Sequence, residues 1–488
     1  MNFCFLLLFP VLLPMIAGVA IRFLPKPAEF RAKTSVYSLG ACAVIALLCL
    51  LFGEGARVTL WSITEKIQIA FRLDKISMLY VCFVSVVWTG VGVYALEYLE
   101  HDENAPRFWR YYLISYGALM GLSMSENLIT LYMFYECMTL VTVPLVAHNM
   151  DREAVAAAIK YLIYSVFGAS MALLGIFFVG AYADTFTFAP GGILSAEALA
   201  GHEDLLRVIF FLMIVGFGVK AGMFPMHSWL PTAHPVAPAP ASAVLSGVIT
   251  KMGVLGIIRT VFYVAGVDFL RGTWAQTAFM ILALVTVVMG SMLAFREKVF
   301  KKRLAYSTVS QVSYVLFGLS TMTTVGFVGA GLHILFHSLI KNVLFMSAGA
   351  VIHKTEKTQI DDLRGIGKQM PLTMTLFTVV SLGLIGIPPT GGFISKWNLA
   401  QGALSMSLSW NWVGPALLLV SAILTAAYLL SVSIRGFFPG GDGSEFTKNE
   451  VTLRMLVPMA VFAALTVLLG MFPSGLISFF TGIAQAIL

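Results

Sequence analysis

The sequence predicts an all-α polytopic membrane protein of about 14 transmembrane helices, built as two inverted five-helix repeats that each contain a broken helix. Three observations predict it. Of 488 residues, 59% are hydrophobic and only 11% charged, and the mean hydropathy of +0.88 lies far outside the range of a soluble domain. Apolar runs of about 20 residues, the length that crosses a bilayer, recur throughout the chain. Two of these runs are interrupted by prolines and glycines at mid-depth, which membrane helices tolerate only where protein or a wet cavity covers the freed backbone.

Taken in order, apolar periods and polar breaks place spans near 3–24, 33–52, 74–98, 109–125, 127–148, 154–183, 205–230, 238–265, 273–295, 303–322, 325–352, 371–402, 412–437 and 452–472. The N-terminal stretch lacks the positive start and small-residue cleavage site of a signal peptide, so it is read as a retained first helix. Residues 57–72 alternate apolar and polar, the pattern of a short hairpin outside the membrane. The tail from Ser474 reads as a short interfacial helix. The whole chain is one membrane domain: 1–108 with the first three helices and the hairpin, 109–265 as a first repeat, 273–437 as a second, and 438–488 with a last helix.

Loop charges orient the bundle. Lys and Arg crowd into alternate loops, at Arg22 to Lys33, Arg107 to Arg110, Arg296 to Arg303, Lys354 to Lys368 and Arg435 to Arg454, while 184–204, 321–326 and 403–412 are poor in them. The rich set is expected to be cytoplasmic. An even span count then puts both termini on the external side of the inner or plasma membrane. The net charge of +7 therefore belongs to loops and implies no nucleic acid. The five cysteines (Cys4, Cys42, Cys49, Cys82, Cys137) all lie in apolar segments without a C-x-x-C pair, which argues against disulfides, zinc or iron–sulfur clusters. No Gly-rich nucleotide loop follows a strand. No cofactor and no redox chemistry of the chain's own are expected.

The candidate chemistry lies inside the spans. Lys220 and Lys251 flank a proline-rich break (Pro225, Pro231, Pro235, Pro238, Pro240), and Lys396 follows a second break at Pro388 and Pro389. A charge at mid-bilayer costs about 2.5–3.5 kcal/mol on insertion scales and marks an ion path by default. Glu136 is the one carboxylate near the middle of a span. It is expected to tune Lys220, although a purely structural ion pair would place the same two residues. His333, His337 and Lys341 recur every four residues on one helical face. Histidine titrates near neutrality, so this face suits a proton relay; two core histidines bonded to backbone, or a metal pair without the usual acid, are the other readings. His227 and His234 at the first break either feed protons in or cap freed backbone, and Lys160 is expected to reach the cytoplasmic surface. Lys220 and Lys396 lie in the seventh and twelfth spans, an odd offset that makes the second copy run inverted. The shift that joins them carries Glu136 to Val312.

Several separated stretches, in order, resemble one family: Tyr135 to Thr139 (YECMT), the run VGFGVKAGMFPMHSWLPTAHPVAPAPASAVLSGVITKMGVLGIIR, the helix HILFHSLIKNVLFMSAGAVIH, and IPPTGGFISKW. The chain resembles the antiporter-like subunits of respiratory complex I, Mrp-type cation/proton antiporters and energy-converting membrane-bound hydrogenases. The resemblance covers nearly the whole chain, and its wording is closest to the Mrp D-type subunit and its hydrogenase relatives. It implies a Glu–Lys pair at Glu136 and Lys220, a central lysine at Lys251, a terminal lysine at Lys396, and a connecting helix carrying His333, His337 and Lys341. It also implies partner antiporter-like and small membrane subunits, with peripheral redox subunits in some complexes. The expected function is proton translocation, or cation/proton exchange, within a multisubunit complex. A proton-pumping subunit of a complex I-type quinone oxidoreductase is the nearest alternative, and a structural membrane scaffold is the alternative of another class.

Overall fold

Four of the described helices begin where a side-chain oxygen replaces a missing backbone partner. Asp74, Asn127, Asp151 and Thr323 accept hydrogen bonds from the N–H groups of Ser77, Thr130, Ala154 and Gly326, each satisfying a donor that the first helical turn leaves open. The structure, a computed structural model, describes residues 3–23, 27–440 and 447–488. The end of the first expected span at Leu24, Lys26 of the first basic run, part of the last basic run, and the side chain of Cys4 lie outside the described residues.

The principal elements are α1 (Phe9–Ala20), α2 (Ala28–Phe52), β1 (Arg57–Ser62), β2 (Gln68–Arg72), α3 (Lys75–Tyr98), α4 (Ala105–Ser123), α5 (Leu128–Val146), α6 (Arg152–Tyr182), α7 (Glu203–Ala221), α8 (Leu230–Val236) and α9 (Ala239–Ala265). They continue with α10 (Trp274–Arg296), α11 (Phe300–Ser320), α12 (Thr324–Thr355), α13 (Pro371–Ile385), α14 (Gly391–Leu404), α15 (Val413–Phe437), α16 (Leu453–Met471) and α17 (Ser474–Ile487). The strands form an antiparallel hairpin, Arg57 opposite Arg72, with an irregularity between Thr59 and Trp61.

Among the described residues ten helices are long and apolar enough to cross a membrane. α4, α7 and α11 match them in length but carry more polar residues, and the pieces beside each break are individually too short. Burial sorts centre from periphery. The apolar windows of α1 and α2 are only 33% and 28% buried, whereas those of α9 and α12 are 100% and 94% buried. Of these ten spans, the two most enclosed are thus the ones that carry Lys251, His333, His337 and Lys341.

Both breaks are built alike. α7 ends at Gly222 and α13 at Gly386, each left-handed (φ +80° and +95°), a conformation that glycine adopts without a Cβ penalty. The N–H of Met223 reaches back to the carbonyl of Gly218 (2.9 Å) and that of Ile387 to Leu382 (3.1 Å), the same Schellman closure. Pro225 and Pro389 follow each glycine by the same interval. Aligned on these glycines, Lys220 falls opposite Leu384 and Lys396 opposite Thr232, a register different from the lysine-to-lysine one. Lys220 closes the helix before its break, while Lys396 lies in the helix after its own.

Candidate functional site

An ammonium has three N–H donors, and three hydroxyls meet those of Lys220. Its Nζ donates to Thr139 Oγ1 (2.9 Å), Tyr161 Oη (3.1 Å) and Ser165 Oγ (2.8 Å), with the Tyr161 ring 4.5 Å beneath it. Lys220 is fully buried. No ion pair joins it to Glu136, whose Oε1 is buried without a hydrogen-bond partner, so the expected contact pair is absent in this arrangement. Each charge still acts on the other. Neutral hydroxyls hold the amine beside an unsatisfied carboxylate.

The helices that carry Lys220 and Lys251, α7 and α9, cross closely at a glycine of α9. A Cβ on Gly253 would lie 2.5 Å from the Phe217 carbonyl oxygen, 2.7 Å from the Ala221 nitrogen and 3.0 Å from Lys220 Cβ, so the helices cross with backbone against backbone. Within α9, a π-helical turn at Leu245–Ile249 widens the hydrogen-bond ladder just before Lys251. The Lys251 amine donates to the Ser246 carbonyl (2.5 Å), and Ser338 of α12 donates to the Gly247 carbonyl (2.6 Å). Tyr80 donates to the Lys251 carbonyl (3.0 Å).

From Lys251 the polar row continues along α12. Lys341 donates to the Leu304 carbonyl (3.0 Å), and its charge acts on Lys251. His337 is fully buried with neither ring nitrogen partnered, and the charges of Lys251, Lys341 and Lys396 act on it. His333 bonds Ser395 Oγ through Nδ1 (2.9 Å), leaving Nε2 free, and its ring stacks between His337 (5.8 Å) and Tyr314 (5.4 Å). Neither histidine is therefore a core residue satisfied by backbone. Lys396 ends the row, its amine on the Leu384 (2.7 Å) and Ile385 (3.0 Å) carbonyls freed by the second break and 4.9 Å from the Tyr314 ring centroid.

The remaining candidates gather around the first break. Lys160 is half-buried and turns inward to Thr232 Oγ1 (3.1 Å), and His227 stacks on Phe224 (6.2 Å). His234 is fully buried, stacked on Phe345 (4.6 Å), with both nitrogens unpartnered. Lys301 and Arg259 are among the internal charges that escaped the sequence reading. Lys301, in a run that reads as cytoplasmic surface, is buried and donates to the carbonyls of Pro235 (3.1 Å) and Ala237. Arg259, near the end of its span, is buried and bonded twice to Asp74 (2.6 and 2.9 Å) and once to Ser77 (3.1 Å). The proline cluster after Lys301's partners was the one available hint for the first; nothing local marks the second.

The profile of the family described as NADH:quinone oxidoreductase/Mrp antiporter, TM, matches residues 125–425, and that of NADH-Ubiquinone oxidoreductase (complex I), chain 5 N-terminus, matches 61–109. The chain is 30% identical to NADH-quinone oxidoreductase subunit N of Desulforudis audaxviator, over 96% of both chains. It is 30% identical to Hydrogenase-4 component B of Escherichia coli, over 86% of this chain and 65% of that one. A chain of the Mrp complex from Dietzia sp. DQ12-45-1b shares the fold, with a TM-score of 0.86 and 20% identity over 100% of this chain and 98% of that one.

Proposed function

Since the chain belongs to the NADH:quinone oxidoreductase/Mrp antiporter membrane family, we propose that it translocates protons, as an antiporter-like subunit of a larger complex in the inner or plasma membrane. One observation carries this reading: Lys251, Lys341, His337, His333 and Lys396 are all buried and act electrically on one another, and Lys220, held by neutral hydroxyls near the mid-span carboxylate Glu136, lies on the helix that crosses that of Lys251. Intramembrane ionisable groups so arranged form proton relays. The broken helices pair with neighbours to give fourteen spans, with 109–265 and 273–437 as inverted repeats, basic loops in the cytoplasm and both termini outside.

In this mechanism Glu136 tunes Lys220. A conformational or charge event draws the Lys220 amine from its hydroxyl cage toward the unpartnered carboxylate. The movement is passed through the α7–α9 crossing to Lys251, which gives up or takes a proton through Lys341, His337 and His333. Lys396 exchanges with the outside at the second break. Lys160, His227 and His234 serve the cytoplasmic approach. Partners are further antiporter-like and small membrane subunits, driven by redox work in peripheral subunits or by the gradient of another cation. A place in a complex I-type quinone oxidoreductase is favoured by the identity to subunit N over nearly the full length of both chains.

The test is Lys220→Met and Lys251→Met in the assembled complex. Assembly should survive on native gels while proton translocation into vesicles falls about 10²-fold or more. Wild-type transport in both variants refutes the reading, and loss of assembly alone identifies a scaffold.

A further inference from the structure

A groove of about 550 Å³ runs along the outer face of α10, lined by Ile281, Met289 and Met292 of that helix, by Trp410 and Leu417 at the start of α15, and by Arg296 at one end. Ile281 and Arg296 are 15 residues apart, so the groove is about 22 Å long, within the roughly 30 Å of a bilayer's hydrocarbon. Its mean section is then about 25 Å², wide enough for one hydrocarbon tail and far narrower than the 10–12 Å diameter of a helix with its side chains. The groove is also preformed. One helical turn beyond Leu417, Ser421 Oγ lies 2.6 Å from Ser291 Oγ, which meets Ser310 Oγ as well (2.8 Å), so hydroxyls pin α10 to α15 behind it. The two ends of α10 differ in chemistry. Trp274 and Trp412 stand exposed at one, as in the aromatic belt of a membrane interface. At the other, Arg296 is exposed, and among the described residues nothing bonds it; Glu297 beside it is taken by Lys302 (2.9 Å).

We propose that this groove is the site of one anionic phospholipid of the phosphatidylglycerol class, its phosphodiester on the Arg296 guanidinium and one acyl chain laid along α10 toward Trp410. A guanidinium donates to two phosphate oxygens in parallel, and basic pockets between membrane helices bind acidic head groups. The net negative charge of such a lipid meets an arginine that no carboxylate neutralises, whereas a zwitterionic lipid would bring a second cation beside it. Met289 and Met292 are unbranched and flexible, so the wall they form adapts to the tail. Lipid binding here lies outside the proton relay and needs only that α10 crosses the membrane.

The experiment places the assembled complex in phosphatidylcholine nanodiscs doped with phosphatidylglycerol that carries a diazirine on one acyl chain, or with the matching phosphatidylcholine. After irradiation, labelled peptides are mapped by mass spectrometry. The phosphatidylglycerol probe should label the α10 and 410–417 peptides about fivefold more than the phosphatidylcholine probe. Arg296→Gln should bring the two to parity, while Arg454→Gln, at another exposed arginine of the basic loops, should leave the ratio as in wild type. Leu417→Trp, which fills the groove, should remove the label from both probes. If Arg296→Gln disturbs assembly, the wild-type ratio decides. Equal labelling by the two probes in wild type overturns the proposal, and so does an absence of label on these peptides because a neighbouring subunit covers them.

Discussion

Gly253→Ala is the sharpest probe of how the fold places its lysines. The added Cβ would start 2.5 Å from the Phe217 carbonyl oxygen and 2.7 Å from the Ala221 nitrogen, and ordinary contact begins at 3.4 Å, so α7 and α9 must separate by up to about 0.9 Å. Both obstacles are backbone and cannot rotate away. Overpacking of this kind costs about 1–3 kcal/mol, and a displacement near 1 Å at a reacting pair can cost about 10²-fold in rate. Gly256→Ala is the control. Its Cβ meets the Phe217 ring, 2.4 Å from Cδ1, and a ring can swing aside. Thermal unfolding of the purified complex and proton uptake in vesicles should both rank Gly253→Ala below Gly256→Ala, with the larger gap in uptake. Equal melting and equal uptake in the two variants would refute the claim that backbone contact at Gly253 sets the distance between Lys220 and Lys251.

The other expectations concern single interactions. Asp74→Asn and Arg259→Met should each cost about 3–5 kcal/mol in unfolding experiments, because removing one partner strands the other inside the protein; the double variant should lose less than the sum, as a double-mutant cycle will show. His337→Phe should keep the ring column of Tyr314 and His333 and the melting temperature, yet lower transport about 10²-fold. At the start of α11 burial works against the charge of Glu297, but the Val299 N–H, the Lys302 ammonium and the Lys298 N–H outweigh it and hold its carboxyl below the usual carboxylate range. Its contribution is therefore present above the unfolded carboxylate value and lost as pH falls through the folded one. Glu297→Gln should flatten the acid limb of the stability curve and leave the neutral limb lower by roughly 1 kcal/mol.

What the sequence could show was whatever a charge in an apolar run shows by itself. Lys220, Lys251, Glu136 and the His333–His337–Lys341 face stood out because their neighbours in the chain are apolar; the structure buries the lysines and histidines and leaves Glu136 half-buried. The hydroxyl cage did not stand out. Thr139, Tyr161 and Ser165 are ordinary residues of membrane helices, and only the crossing of three helices turns them into a set. Lys301 was hidden by its own neighbours, since Lys302 and Arg303 beside it make the run read as a solvated loop. Arg259 was hidden by distance along the chain, its partner Asp74 being far upstream.

The two breaks point to a register other than the one the lysines suggest. Matching lysine to lysine assumes that chemistry is copied with the backbone, whereas the two breaks coincide through Gly222 and Gly386 and their following prolines. In that register the carbonyl that receives Lys396 belongs to Leu384, the position that in the first half is Lys220 itself. One half therefore builds its cation into the helix before the break, where hydroxyls of neighbouring helices hold it. The other places its cation after the break and turns it back onto the carbonyls the break exposes. An amine on exposed carbonyls is tied to the broken backbone, and an amine on side-chain hydroxyls is free to leave without disturbing it. The two breaks thus anchor their cations differently, an asymmetry that a symmetric alignment of lysines conceals.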